Sequence, residues 1–477
     1  MADGVAVHAA ADALIEHLGA DMVLVGDDVE RYCRDWHGDV TTGALAVIRP
    51  RSTADVSAAV TAVASLGLSI VPQGGNTGLV LGATPDQPLA QVVLSLERMT
   101  AVRRIDVDDF SAVVEAGCIL SEFKDKVEAA GLFFPLALGA QGSCRIGGNV
   151  STNAGGINVL RYGMMRELVL GLEVVLPDGT VFEGLSTLRK DNRGVDLKQL
   201  FIGAEGTLGI VTAVAVKLLP PVEQVATALV GLASLSDAIA LYRRARRDCC
   251  DLLSAFEFMP PVAFTLAREA MPDLAMPISG DYPAYVLMEI GGSGLVDIED
   301  LMQRFLEGVM EEELVLDGVI ASSKAQSRNL WLFREGMNEG QAKRGAHLRT
   351  DLSVPLSRLA EFVDQSEAAV MKALPDCLCV SYGHVGDGNV HLNVLPPAGL
   401  PRAELDAFLY KAKSVINDVL DTFGGSISAE HGIGRLKKAD FLARIPDVQA
   451  GLLSAVKHAI DPKLMMNPGC QLNFTAD

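Results

Sequence analysis

Pro220-Pro221 divides this chain into two stretches that follow different rules. Proline lacks the N–H that helices and strand ladders both need, so two in succession stop either element. Upstream, Ala44–Ile48, Ile70-Val71-Pro72, Val92–Leu96 and Ala112–Ala116 read as strands and Glu122–Gly131 as a helix. Ser52 and Asp55 mark a helix start ahead of the apolar spacing in Val56–Ala64. Downstream, strands at Ala226–Leu232, Ser254–Phe258 and Ala284–Ile290 alternate with helices at Leu235–Asp248, Pro260–Ala270 and Val296–Val309. That βαβ-type alternation predicts a sheet with helices packed on it, and Ala403–Phe423 is a further helix. The expected domains are 1–221, 222–425 and a closing segment, 426–477.

With 49% hydrophobic residues in 477, the chain can bury a large core. A formal charge of −20 argues against nucleic acid and anionic membrane surfaces, which select basic patches. It leaves either a solvated acidic surface or a docking face for an electron-accepting protein. No basic stretch followed by an apolar one opens the chain, and no apolar run reaches membrane length, so neither signal peptide nor integral span is expected. The eight cysteines are scattered without a Cys-x-x-Cys, which fits reduced thiols in a cytoplasmic protein.

Only eight histidines occur, and three fall in two short motifs. The first is His384-Val-Gly-Asp-Gly-Asn-Val-His391, with Asp387-Gly388 between strand-like runs. Asp-Gly in that setting predicts a two-residue type I′ hairpin turn. His384 would then face His391 directly, and Asn393 would share their face of the sheet. The second motif is Ser428-Ala-Glu430-His431-Gly-Ile-Gly-Arg435. Two imidazoles and the Glu430 carboxylate make a catalytic divalent-metal set of the zinc type, the alternative being a hydrogen-bonded histidine pair. The donor set also suits manganese or iron.

Two glycine-dense segments lie upstream of the prolines. One runs Pro72-Gln-Gly74-Gly75-Asn76-Thr77-Gly78-Leu79 after a strand. The other contains Gly139, Ser143, Gly147-Gly148-Asn149, Thr152-Asn153 and Gly155-Gly156. Glycines let backbone N–H groups approach a phosphate closely, and Ser, Thr and Asn add neutral donors. Neither segment reads G-x-G-x-x-G ahead of a helix, and no Walker A pattern occurs, which disfavours a Rossmann NAD site and a P-loop.

Both segments resemble the FAD-binding module of the vanillyl-alcohol-oxidase-type flavoproteins. The likeness continues through Arg161-Tyr162-Gly163, Gly171-Leu-Glu-Val-Val-Leu-Pro-Asp-Gly179 and Leu200-Phe-Ile-Gly-Ala-Glu205-Gly-Thr-Leu-Gly209-Ile210, and covers nearly the whole chain. Leu188-Arg-Lys-Asp-Asn192, Asp196-Leu-Lys-Gln-Leu200 and Ser254-Ala-Phe-Glu-Phe258 resemble the D-2-hydroxyglutarate dehydrogenase branch. D-lactate dehydrogenases and glycolate oxidase subunits are its nearest relatives. The resemblance implies an α+β fold: a two-part PCMH-type FAD-binding domain, an α/β substrate-binding cap domain and a short C-terminal segment returning to the flavin. It places FAD on 72–80 and 139–156, with Glu205, Gly209, Ile210 and Asn467 completing the cofactor residues. Asn76 stands where some members carry a flavin-linking histidine, so FAD is expected to be noncovalent.

The resemblance further implies that His384, His391 and Glu430 bind the metal, that His431 is the base, and that Asn393 contacts substrate. Arg334, Asn338 and Arg349 match carboxylate-clamp positions. Three positions depart from the family pattern: Arg145 stands where histidine is usual, Asn338 where threonine is, and Arg349 where lysine is. The expected reaction is oxidation of a D-2-hydroxyacid, D-2-hydroxyglutarate first and D-lactate second. Expected partners are an electron acceptor, either an electron-transfer flavoprotein or a quinone, and a second copy in a homodimer. A flavin-free metallohydrolase, with the glycine segments holding a phosphorylated substrate, is the competing reading from another class. A flavin-binding subunit dependent on a catalytic partner is a third.

Overall fold

Branched apolar runs punctuated by glycine and proline build the first of two units in the computed structural model, which describes residues 2–473. This unit holds the described residues up to Gly156, then Gly163–Pro221, then the segment beginning at Glu430. Its four-stranded sheet runs in the order Val23–Leu24, Ala46–Ile48, Gln91–Ser95, Ser69–Gln73. The last three strands pair in parallel, and the central two are buried along their whole length. Burial on both faces explains why they read as continuous apolar runs without alternation.

The helix Thr53–Ser65 covers this sheet and starts where the sequence indicates, with the Ser52 side chain accepting the Asp55 N–H at 3.1 Å. Such a cap contributes about 1 kcal/mol. A five-stranded antiparallel sheet follows, ordered Val102–Asp106, Ser111–Glu115, Ile210–Lys217, Val169–Val175, Val181–Gly184. The returning C-terminal segment bonds to the edge of Ser69–Gln73: Ile70 N–H donates to Met465 O and Asn467 N–H to Ile70 O. Lys457 pins it further, its buried ammonium donating to Thr207 O, Met466 O and the Asp461 carboxylate.

The second unit comprises Ile157–Tyr162 and Val222–Ala429. Its seven-stranded sheet runs Asp317–Ile320, Gln224–Leu232, Ala284–Gly292, Leu253–Met259, Leu378–His384, Asn389–Leu395, Leu352–Ser353. Every pairing in it is antiparallel, and helices pack on it as the strand–helix alternation predicts. Alternation fixes that helices pack on a sheet, whereas direction depends on which strands become neighbours. The predicted helix Leu235–Asp248 forms over that span, capped by Ser234 and burying Leu235, Ala238, Leu241 and Ala245. Two further helices, Lys324–Lys343 and Leu359–Ala373, were not anticipated from the sequence. The first lies close against Val262–Ala270, where a Cβ on Gly340 would come 2.0 Å from Leu266 O. Glycine permits that approach.

All eight cysteines are free thiols. Among the described residues, no helix is long and apolar enough to cross a membrane.

Candidate functional site

The hairpin in the second unit differs from its sequence expectation in register. Tyr382, not His384, lies opposite His391, and Val380 lies opposite Asn393. The turn spans four residues: Val385–Asp387 form a 3-10 turn and Gly388 takes the left-handed conformation at φ 80°. A two-residue type I′ turn needs positive φ at both central residues, and Asp387 does not supply it. Its carboxylate accepts the Asn389 N–H at 3.1 Å instead. Because side chains alternate with a period of 2, a shift of two residues preserves the face. His384 and His391 are therefore diagonal neighbours with ring centroids 6.1 Å apart.

Both imidazoles are held through Nδ1. His391 Nδ1 contacts Thr350 O at 3.0 Å, and His384 Nδ1 contacts Glu257 Oε1 at 2.5 Å. Each partner is an acceptor, so each Nδ1 carries the proton and Nε2 carries the lone pair, the tautomer a metal requires. Burial pushes His391 down to about 4, and neighbouring His384 and Arg334 act in the same direction while Asp351 opposes them. At neutral pH this ring is therefore uncharged.

Sequence reasoning missed Glu257. Its signal was a single carboxylate within the apolar run Ser254–Phe258. Glu257 lies directly opposite His384 across the sheet, and its side chain is 1% exposed. Burial alone would raise its pKa, but the Arg334 guanidinium and the hydrogen bonds from His384 and Arg334 hold it at about 2. Arg334 Nε donates to Glu257 Oε2 at 2.8 Å, and the guanidinium carbon lies 4.7 Å from the Tyr382 ring centroid.

The remaining clamp positions lie nearby in the same unit. Asn338 follows Arg334 by one helical turn and is exposed. Arg349 is also exposed, and directly precedes Thr350. Asn393 is buried; its Oδ1 accepts the Thr350 N–H at 3.0 Å, and its Nδ2 donates to Gln341 and Tyr382. Asn393 therefore fixes the segment that carries Arg349, and only one Oδ1 lone pair remains for substrate.

In the first unit the two glycine segments meet. A Cβ on Gly75 would lie 2.1 Å from Ser143 O, and one on Gly74 would touch Gly148. A Cβ on Gly78, Gly139, Gly142 or Gly148 would meet nothing within 4 Å. Asn149 Oδ1 is buried with no hydrogen-bond partner among the described residues. Closely packed loops, open glycine faces and an orphaned polar atom together fit a cradle for a polar cofactor. Asn76 takes φ 53° and donates to Arg34 O, which shapes the first loop. Thr152 Oγ1 donates to Gly148 O, and Asn153 accepts the Arg166 N–H. Arg145 Nη1 donates to the backbone carbonyls of Gly117 and Glu97, so this departure from the family pattern serves to tie backbone together.

Other expected cofactor residues have framing contacts. The Ile210 side chain is in the core beside Gly209, leaving backbone groups to meet a ligand. Glu205 Oε1 accepts the Ile433 N–H and Oε2 the Gly434 N–H, each at 2.8 Å. Asn467 Nδ2 donates to Gly82 O and Glu205 O, and its Oδ1 accepts from Arg435. Glu205 and Asn467 thus hold the loop that carries Glu430 and His431. Glu430 Oε1 accepts the Gly156 N–H at 2.6 Å, next to the second glycine segment.

Residues 44–184 match the family model described as "FAD binding domain" and residues 222–470 that described as "FAD linked oxidases, C-terminal domain". A probable mitochondrial D-2-hydroxyglutarate dehydrogenase of Oryza sativa subsp. indica is 42% identical over 91% of this chain and 76% of its own length. The D-2-hydroxyglutarate dehydrogenase of Xanthomonas citri pv. viticola is 37% identical over 93% and 92%. A putative mitochondrial D-lactate dehydrogenase of Schizosaccharomyces pombe is 35% identical over 92% and 84%. Among solved structures, p-cresol methylhydroxylase superposes with a TM-score of 0.75 at 17% identity, covering 98% of this chain and 97% of that one. At that identity the likeness concerns the fold, a PCMH-type FAD-binding domain with a C-terminal domain.

Proposed function

The chain belongs to the FAD-linked oxidase family and is an FAD-dependent dehydrogenase of the group that contains the D-2-hydroxyglutarate dehydrogenases; from that premise we propose that it oxidises D-2-hydroxyglutarate to 2-oxoglutarate with a divalent metal. The observation that carries the metal reading is the pair of Nδ1-anchored imidazoles, His384 and His391, both presenting Nε2 as the lone-pair nitrogen. Glu430, which the family resemblance adds to the two histidines, is the third ligand we assign. Zinc is our first choice, since two neutral imidazoles and a carboxylate with coordination left open form a catalytic zinc set.

FAD held by the two glycine segments, 72–80 and 139–156, would supply the acceptor for the hydride lost from the hydroxyl-bearing carbon. The metal, when bound, draws electron density from the substrate oxygens and makes the hydroxyl more acidic. His431 takes the hydroxyl proton as general base. Arg334 binds the carboxylate next to the reacting carbon, and Arg349 takes the distal carboxylate, with Asn338 and Asn393 as neutral contacts. The loop bonds from Glu205 hold His431 in register, which matters because a base must sit within hydrogen-bond reach of its proton.

D-lactate is the second reading, favoured by the relative of that name in Schizosaccharomyces pombe. Lactate has no second carboxylate, so Arg349 separates the two. A charge-assisted pair of about 1.5–3 kcal/mol corresponds to roughly 10- to 150-fold. Arg349→Met is expected to lower kcat/KM for D-2-hydroxyglutarate by that factor and to leave D-lactate within about threefold. Equal losses on both substrates would remove the distal-carboxylate assignment.

The eight free thiols fit a reducing compartment, the cytoplasm in our reading. The net charge of −20 fits docking to a protein electron acceptor of the electron-transfer flavoprotein kind, with quinone second. A homodimer is the assembly we expect.

A further inference from the structure

We propose that Glu257 is a positioning residue that holds His384 and Arg334 at once, fixing which nitrogen His384 turns to a metal and how the guanidinium meets the substrate carboxylate. This inference rests on the metal reading above. Glu257 is one carboxylate with two assignments: Oε1 to His384 Nδ1 at 2.5 Å and Oε2 to Arg334 Nε at 2.8 Å. Both partners are themselves largely buried, with side chains 10% and 9% exposed.

A stabilising role alone explains this poorly. A buried ion pair seldom improves on well-packed apolar residues of similar volume, and the strand Leu253–Met259 is otherwise apolar apart from Ser254. Orientation explains it better. A carboxylate on Nδ1 keeps the proton there, raises the basicity of Nε2 and prevents the ring from turning. Its second oxygen accepts the Arg334 Nε–H, which fixes the plane of the guanidinium and leaves its outer edge for a substrate carboxylate. Metal ligation and carboxylate recognition therefore share one anchor, and a change at either end is transmitted to the other.

The amide in Glu257→Gln offers one acceptor and one donor to two facing donors. Either His384 moves its proton to Nε2 and loses the metal-binding lone pair, or Arg334 loses its partner. The probe is Co²⁺ added to the metal-stripped flavoprotein, with affinity read from chelator competition and the ligand field from the visible spectrum. Glu257→Gln is expected to keep its FAD and near-UV dichroism, bind Co²⁺ about 10- to 100-fold more weakly and show an altered spectrum.

Glu289→Gln is the control. That carboxylate, on the neighbouring strand, accepts from Thr227 and Trp331 and lies outside the proposed machinery. It is expected to stay within about threefold of the unaltered protein on the same scale. Unchanged affinity in Glu257→Gln, or equal weakening in both variants, overturns the proposal. If Glu257→Gln does not fold, Arg334→Met decides, because it leaves the whole carboxylate to His384. Affinity tighter than that of the unaltered protein supports the shared anchor, and unchanged or weaker affinity refutes it. No Co²⁺ uptake by the unaltered protein would remove the metal reading itself, and this inference with it; uptake with no response to Glu257→Gln removes only the inference.

Discussion

Glu205→Gln tests whether the loop carrying His431 is held by a single carboxylate. Glu205 Oε1 accepts the Ile433 N–H at 2.8 Å and the Gln471 Nε2 at 3.1 Å, while Oε2 accepts the Gly434 N–H at 2.8 Å and lies 3.4 Å from Cys470 Sγ. The residue is 8% exposed, so water cannot readily replace a lost acceptor. An amide must turn its NH₂ toward one of the two backbone N–H groups. The cost is one charge-assisted hydrogen bond, about 1.5–3 kcal/mol, together with a stranded buried donor, about 1–3 kcal/mol. Allowing for relaxation, we expect about 3 kcal/mol, which in a unit of this size lowers Tm by roughly 6–12 °C.

Thermal unfolding followed by flavin fluorescence and circular dichroism measures that loss. Steady-state kinetics measures its consequence, since Ile433 is two residues from His431. Displacing a general base by about 1 Å costs on the order of 100-fold, so kcat should fall by at least tenfold while KM stays nearly constant. A loss of less than about 1 kcal/mol with normal kcat would refute the anchoring role, given the energies assigned to such bonds.

Two further predictions concern the first unit. Gly75→Ala would place a methyl 2.1 Å from Ser143 O, so the two glycine segments must separate; FAD affinity is expected to fall at least tenfold in equilibrium dialysis, and unchanged affinity would remove the cradle from these loops. Glu173 accepts from Thr53, Thr212 and Arg103, whose bonds outweigh burial and lower its pKa from the ordinary 4.5. A depressed carboxylate contributes stability that is present above 4.5 and lost as pH falls below it. The stability gap between the parent protein and Glu173→Gln should therefore shrink in acid, and a gap independent of pH would contradict the assignment.

Much of the scaffold was legible because its signals are local. Ser52 and Ser234 cap the helices they precede, and Leu235–Asp248 follows its apolar stripe from end to end. What escaped depends on neighbours remote in sequence. Strand direction in the second sheet follows from pairing Gln224–Leu232 with Ala284–Gly292, which no local pattern reports. The hairpin register slipped by two because Asp387 caps Asn389 and Gly388 alone takes positive φ, yet the period of 2 kept His384, His391 and Asn393 on one face. Glu257 reads in sequence only as part of Ser254–Phe258, since its purpose becomes visible only when His384 pairs opposite it, 127 residues away. Glu205 and Asn467 were placed among the cofactor residues, but the structure gives their side chains framing bonds that only folding brings together.

Anaerobic reduction of the bound flavin tests the central claim most directly, because it reads the chemical step without any electron acceptor. D-2-hydroxyglutarate is expected to bleach the flavin while its L-enantiomer does not. Stripping the metal should slow bleaching by about 100-fold or more with FAD retained, in keeping with several kcal/mol of charge stabilisation, and added Zn²⁺ should restore the rate. Bleaching at an undiminished rate in the stripped protein, or bleaching by D-lactate but not by D-2-hydroxyglutarate, would contradict the account.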